Sequence, residues 1–213
     1  MAKIEAVIFD MDGVLIDAKE WHYEALNRAL SLFGYAISRY DHMVIYDGLP
    51  TKRKLDMLSI ERGLPRGLHD FINEMKQSYT TELIHSKCKP VFSHEYALSQ
   101  LRAKGYRLAV ASNSIRPTVD LMIEKSRLAP YLEFTLSNQD VRKAKPDPEI
   151  YHEAIRRFGL LADSCLIVED NPNGIKAARA AGAHVMEVGS VEDVHLDAIL
   201  ARIRIIELGR VEL

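Results

Sequence analysis

Ala6-Val7-Ile8-Phe9-Asp10-Met11-Asp12-Gly13-Val14-Leu15 is the stretch on which the reading of this chain turns. Ala6 to Phe9 is a short, unbroken apolar run, the pattern of a strand covered on both faces as in a parallel sheet. It stops at Asp10, which therefore stands at the carboxyl end of a strand, where open α/β sheets bind ligands. In extended backbone Asp10 and Asp12 project to the same side, and two ionised carboxylates there need a cation, a proton or both to compensate them. Asp-Gly is also a common turn signal, so the pair by itself is no more than suggestive.

Three downstream segments have the same form. Arg107-Leu108-Ala109-Val110-Ala111-Ser112-Asn113-Ser114 is a strand-like run ending in small hydroxyl and amide side chains, with Pro117 where a helix can begin. Ser112, Asn113 and nearby backbone N–H groups suit phosphate oxygens, although Ser-Asn-Ser is more often an ordinary capping loop. In Lys143-Ala144-Lys145-Pro146-Asp147-Pro148-Glu149, Pro148 fits a first helical position with Asp147 as its cap. Pro146 keeps Lys145 out of that helix and leaves its ammonium able to point back toward a site. Cys165-Leu166-Ile167-Val168-Glu169-Asp170-Asn171-Pro172 is a further buried-strand pattern ending in paired acids, and it leads into an Ala-rich helix. Asp10, Asp12, Glu169 and Asp170 at one end of one sheet form a hard oxygen set suited to Mg²⁺. The two cysteines, Cys88 and Cys165, are far apart in sequence and read as core thiols.

The rhythm of the chain gives the architecture. Strand-like runs at 4–9, 107–111, 132–137, 165–169 and 184–188 alternate with helix-like stretches at 93–104, 117–127, 148–158 and 173–181. This predicts an α/β fold with a doubly wound, Rossmann-like parallel sheet. Between the first two strands the sequence reads as helix, over Ala18–Phe33, Lys52–Arg62 and Leu68–Ile84. The expected division is a catalytic core of 1–16 and 89–213 with an inserted helical cap of 17–88, and hinges near Leu15–Asp17 and Lys87–Pro90. Insertion directly after Asp12 suits a lid that excludes water and selects the substrate. The tail, Ile203–Leu213, reads as a final edge strand or a contact to another subunit.

Composition narrows the function classes. With 28 Lys plus Arg against 30 Asp plus Glu, the net charge of −2 gives no electrostatic case for nucleic acid or an anionic membrane. No apolar run approaches a membrane span, and Met1-Ala2-Lys3-Ile4-Glu5 leads into a core strand rather than a signal peptide, so a cytoplasmic enzyme is expected. A monomer is the default.

These motifs, spread from Asp10 to Gly174, resemble those of the haloacid dehalogenase-like superfamily of phosphotransferases, and among them the β-phosphoglucomutase-like branch. The resemblance covers all but the last dozen or so residues. It implies Asp10 as the nucleophile that takes the phosphoryl group and Asp12 as general acid and base. It implies Ser112 as the phosphate-contacting hydroxyl, Lys145 as the lysine of the third motif, and Glu169 and Asp170 as acids that help to hold Mg²⁺. The inserted helices correspond to the family's cap, where His22 falls at the place of a histidine that handles a sugar hydroxyl. Equally, His22 suits a plain position on an amphipathic helix.

The chain departs from the mutases at two points. Thr51 stands where they carry a cap arginine, and Ile115 followed by Arg116 stands where they carry a lysine. Lys52, Arg53 and Arg116 are the candidates to substitute, although one position along a helix turns a side chain by about 100°. Lys89-Pro90-Val91-Phe92-Ser93-His94 also lacks the Pro-Gly common in relatives.

The expected function is therefore a Mg²⁺-dependent phosphatase of a small phosphorylated metabolite, a sugar or polyol phosphate, acting through an aspartyl phosphate. The alternative is a hexose phosphate mutase. A haloacid dehalogenase is disfavoured, because carbon–halogen displacement has no need of Asp12, Glu169 and Asp170. A non-catalytic ligand-binding protein would have no chemical need for all six core residues.

Overall fold

The computed structural model describes residues 3–209; Met1 and Ala2, and residues 210–213 of the tail, lie outside them. Among the described residues the strands are β1 Ala6–Phe9, β2 Arg107–Ala111, β3 Phe134–Leu136, β4 Cys165–Glu169 and β5 His184–Glu187. All pair in parallel, in the order β3-β2-β1-β4-β5. The order reverses at β1, so β1 and its neighbours form the switch point at which such sheets open a crevice. By its internal contacts the chain divides into one unit of the residues up to Asp17 with those from Lys89 on, and a second of Ala18–Cys88.

In the first unit the central strands β1, β2 and β4 carry apolar residues that are buried on both faces of the sheet. Ala6, Ile8, Ala109, Ala111, Cys165 and Ile167 pack with Ile150, Tyr151, Ala154, Ile155 and Phe158 of α7 (Glu149–Phe158) and with Ala177 and Ala178 of α8 (Pro172–Ala180). The alternate residues Val7, Phe9, Leu108, Val110, Leu166 and Val168 are also inaccessible and by strand geometry face the other way. α5 (Phe92–Ala103) packs on β2 and on α9 (Leu196–Glu207), while α6 (Arg116–Lys125) packs on β3. Proline sets two of these starts: Pro117 lies in the first turn of α6, and Pro172 opens α8 behind an Asn171 side chain that accepts from Asn173 N. The start of α7 is one residue later than its sequence suggests, with Asp147 Oδ1 accepting from Glu149 N at 3.1 Å.

The tail differs from its expected strand. α9 runs to Glu207 because Ile199 and Ile203, four residues apart, bury one helical face. The rest of that expectation, residues 210–213, falls outside the described part.

The second unit is helical: α1 (Lys19–Ser31), α2 (Arg39–Asp41), a π-helical turn His42–Tyr46, α3 (Thr51–Arg62) and α4 (His69–Lys87). Its core joins Leu26, Ala29 and Leu30 of α1 to Leu55 and Leu58 of α3, Ile72 of α4, and Ile37, Tyr46 and Leu64 between them. α2 and the π turn have no amphipathic signal, since Met43, Val44 and Ile45 are exposed while His42 and Tyr46 are buried. Ser38 starts them by accepting from Asp41 N at 2.9 Å. Among the described residues no helix is long and apolar enough to cross a membrane.

Candidate active site

The parallel register brings the site together. Phe9 lies between Val110 and Val168, so the next residue along each strand, Asp10, Ala111 and Glu169, stands at the same level. The loop before α7 sends Lys145 to that level. Its ammonium donates to Asp10 Oδ1 at 2.6 Å, Glu169 Oε1 at 2.6 Å and the Ala111 carbonyl at 2.8 Å, one acceptor for each of its three protons. Lys145 is only 4% exposed. Burial alone would lower its pKa, but the Asp10 and Glu169 carboxylates raise it, so it stays charged.

Asn113 fixes the backbone that carries this lysine. Its Oδ1 accepts from Lys145 N at 3.0 Å and its Nδ2 donates to Lys145 O at 3.3 Å. The sequence suggests Asn113 as a phosphate contact; the structure turns both ends of its amide onto the Lys145 main chain instead, and the partner is invisible locally because it lies 32 residues away.

Glu169 is held from all sides. Tyr151 Oη donates to its Oε1 at 2.6 Å, and the backbone N–H groups of Asp170 and Asn171 approach its Oε2 at 3.2 and 3.3 Å. Gly174, in the first turn of α8, makes room for the carboxylate: a Cβ built there would lie 1.8 Å from Glu169 Oε1. Burial pushes the Tyr151 hydroxyl well up, and Glu169 and Asp10 push it further, which keeps it a proton donor.

Asp10, Glu169 and Asp170 each offer an oxygen, and these oxygens lie within 4.8 Å of one another. Two of the three carboxylates bond the Lys145 ammonium, all donors are hard oxygens, and no cysteine or histidine belongs to the set. These residues fit a divalent cation of the Mg²⁺ kind. Burial pushes the Asp10 carboxyl well above the usual carboxylate range; Lys145 pulls it back, while Glu169, Asp170 and Asp12 push it further. A bound cation acts in the direction of Lys145.

Asp12, expected as a fourth metal-binding side chain, is not in that set. Its Oδ2 accepts from Ser114 Oγ at 2.8 Å and from Ser112 Oγ at 3.4 Å. The extended alternation assumed for Asp10 and Asp12 ends at Met11, whose carbonyl accepts from Leu15 N and Ile16 N. The loop is closed by Gly13 at φ +93°, a conformation that glycine adopts at no steric cost. Ser112, 1% exposed, sits at the end of β2 with its N–H on Leu136 O. Ser112 and Ser114 thus converge on Asp12.

Three further candidates remain, Arg116, His22 and Lys52. Arg116 is spent on its own surroundings: Nη1 donates to Asp120 Oδ1 at 3.1 Å and Thr135 Oγ1 at 2.7 Å, and Nη2 to Thr135 O at 3.0 Å and to Asp140 Oδ2. In this arrangement the fork is engaged with Asp120, Thr135 and Asp140. His22 and Lys52 belong to the helical unit; His22 Nδ1 lies 3.4 Å from Lys76 Nζ, and Lys52 is exposed on α3.

Sequence reading missed Tyr151 and Gly174. Tyr151 falls on the apolar stripe of α7, and a phenol on a buried face needs a partner for its hydroxyl, which was the available signal. For Gly174 there was none, because its neighbour is set by the tertiary fold.

Comparison with known proteins places this geometry. A family model described as haloacid dehalogenase-like hydrolase matches residues 7–188. A phosphorylated carbohydrates phosphatase of Thermotoga maritima is 30% identical over 182 residues, covering 84% of this chain and 82% of that protein. A phosphoglycolate phosphatase of Nitrosospira multiformis is 26% identical, covering 85% of this chain and 82% of that protein. Among solved structures, a β-phosphoglucomutase from Clostridium difficile superposes with a TM-score of 0.82 at 20% identity, covering 96% of this chain and 99% of that one; at that identity the likeness is one of fold.

Proposed function

The chain belongs to the haloacid dehalogenase-like hydrolases, enzymes here of the phosphatase type acting on small phosphorylated molecules, and on that premise we propose that it hydrolyses a sugar or polyol phosphate in a Mg²⁺-dependent reaction through an aspartyl phosphate on Asp10. The observation that carries this reading is the buried cluster in which one lysine joins Asp10 to Glu169 while two serines hold Asp12 apart from it. Two acids with separate surroundings suit two separate roles.

In this mechanism an Asp10 carboxylate oxygen attacks phosphorus, the P–O bond to the sugar breaks, and the protonated Asp12 gives its proton to the leaving alkoxide. Asp12, now a carboxylate, takes a proton from water as the water oxygen attacks the aspartyl phosphate, which returns Asp10 and releases phosphate. Ser112 and Ser114 hold the Asp12 carboxyl through its Oδ2. Lys145 keeps a fixed positive charge beside the transferred group, where uncatalysed hydrolysis is slow enough to need accelerations of up to about 10²¹-fold. Asp10, Glu169 and Asp170 would hold Mg²⁺, which would add further positive charge against the phosphoryl oxygens. The helical unit Ala18–Cys88 is the part of the chain to which we assign the choice of substrate.

The test is phosphate release from sugar, polyol and nucleoside monophosphates with and without Mg²⁺, in the wild type and in Asp10→Asn. Mg²⁺-dependent release from sugar or polyol phosphates that falls at least about 10³-fold in Asp10→Asn is expected. Interconversion of sugar phosphate isomers primed by a bisphosphate, without net phosphate release, would instead identify a mutase.

A further inference from the structure

We propose that Tyr151 is a positioning residue of this site, one that fixes Glu169 and Lys145 together and thereby sets the affinity of the acidic cluster for a divalent cation. The proposal rests on the reading of that cluster as a Mg²⁺ site. Tyr151 is fully buried on α7 among Ile150, Ala154 and Ile155. A phenylalanine would fill the same apolar space, so the hydroxyl is there for its one polar contact, Glu169 Oε1 at 2.6 Å. The ring also meets the lysine, for Lys145 Nζ lies 4.7 Å from its centroid, within the range of a cation–π attraction. One side chain thus touches both the acid and the base of the buried pair, through different parts.

The consequence follows from how Glu169 is bound. Oε1 is shared by Lys145 and Tyr151, and Oε2 faces the N–H groups of Asp170 and Asn171. These donors fix the carboxylate plane. Without the Tyr151 hydroxyl, Oε1 keeps only the Lys145 ammonium, which is shared with Asp10 and the Ala111 carbonyl, and the plane can turn. Turning it disperses the oxygens of Asp10, Glu169 and Asp170 that now lie within 4.8 Å of one another. Groups that orient metal ligands typically matter by about 10–100-fold in metal affinity or activity.

Titration calorimetry of the full chain with MgCl₂ alone reads this without any turnover. Tyr151→Phe is expected to weaken Mg²⁺ about tenfold and to lower kcat by a similar factor, with KM for the best substrate within about twofold of the wild type. In a Glu169→Gln background, Tyr151→Phe should cost nothing further, because its effect passes through Glu169. Tyr151→Leu, which loses ring and hydroxyl, is the second variant and should weaken Mg²⁺ at least as much; circular dichroism checks that each is folded. Wild-type Mg²⁺ affinity in either folded variant, or full additivity with Glu169→Gln, overturns the proposal. A wild type that binds Mg²⁺ yet releases phosphate from nothing refutes the phosphatase reading and leaves the calorimetry to decide Tyr151, whereas one that binds no Mg²⁺ overturns both.

Discussion

Lys145 in the α/β unit and Lys54 and Lys76 in the helical unit are all nearly inaccessible to solvent, yet they are kept there by different means. Lys145 stands at the end of aligned strands, where three acceptors meet its three protons and an amide clamps its backbone. The helical unit gathers positive groups from three elements. Lys76 Nζ of α4 lies 3.4 Å from His22 Nδ1 of α1, and Lys54 of α3 acts electrostatically on His42, whose ring nitrogens have no hydrogen-bond partner among the described residues. A sheet fixes charges through backbone register, so a small local change there has a large effect on geometry. A helical bundle fixes them through side-chain packing, and the effect of a change is read in stability.

The largest test of that contrast is Gly174→Ala. Its Cβ would overlap the Glu169 carboxylate, so the acid must move or α8 must shift. Turnover should fall about 10²-fold, the scale of a displacement of about 1 Å at a catalytic centre, with a loss of up to about 3 kcal/mol in stability. Steady-state kinetics with denaturant titration checks both. Wild-type kinetics would mean that the strand-end geometry tolerates movement.

The helical counterpart is His42. Burial first, and Lys54 second, lower its pKa from 6.5 to about 4. The unfolded chain therefore takes up a proton on His42 below about pH 6.5, whereas the folded unit does so only near 4. The stability of the neutral, buried ring is present in full above pH 6.5, declines as pH falls toward 4 and levels off below it, for a total of about 3 kcal/mol. His42→Phe keeps a ring against Tyr23, 5.2 Å away centroid to centroid, and removes the proton site. The difference in unfolding free energy between the two proteins should change by about 3 kcal/mol between about pH 7 and about pH 4, in favour of the variant at the lower pH. A constant difference would show that His42 is reached by protons in the folded state.

Asn113→Ala returns to the sheet with a smaller effect. Without the amide, Lys145 keeps its ammonium contacts but loses the two bonds that place its backbone. kcat should fall about tenfold with KM within about twofold, the signature of lost positioning. A rise in KM with kcat unchanged would restore Asn113 as a phosphate contact.

The same contrast explains what was legible. The three central strands β1, β2 and β4 were readable because unbroken apolar runs lead to Asp10, Ser112 and Glu169, and parallel register carries those ends to one place. The place of the Asp12 side chain beside Ser112 and Ser114 was not legible, because the alternation of a strand was carried past Met11, where the chain turns on Gly13 at φ +93°. In the helical unit α1, α3 and α4 were visible as helical patterns, but α2 and the π turn were not, since their apolar residues Met43, Val44 and Ile45 face solvent. Nothing local in the sequence marks Lys54 as buried; its burial comes from the way α3 meets its neighbours.

Arg116 gives the smallest expected effect and tests whether charge near a strand end is by itself a sign of substrate. It follows Ser114 of the β2 loop by two residues and so stands close to where a phosphate would be held, but its guanidinium braces Thr135, Asp120 and Asp140. Asp140 in turn accepts from Ser137 N at 2.8 Å and Ser137 Oγ at 2.6 Å, so the arginine ties α6 to the turn after β3. Arg116→Met keeps much of the length of the side chain and removes the fork, and it should cost about 1 kcal/mol in denaturant titration, since the pair is partly solvated. kcat and KM should stay within about twofold of the wild type. A KM raised about tenfold with unchanged stability would mean that the fork leaves Asp140 for the substrate, and would extend to α6 the role we propose for Asp10, Lys145 and Glu169 at the carboxyl end of this sheet.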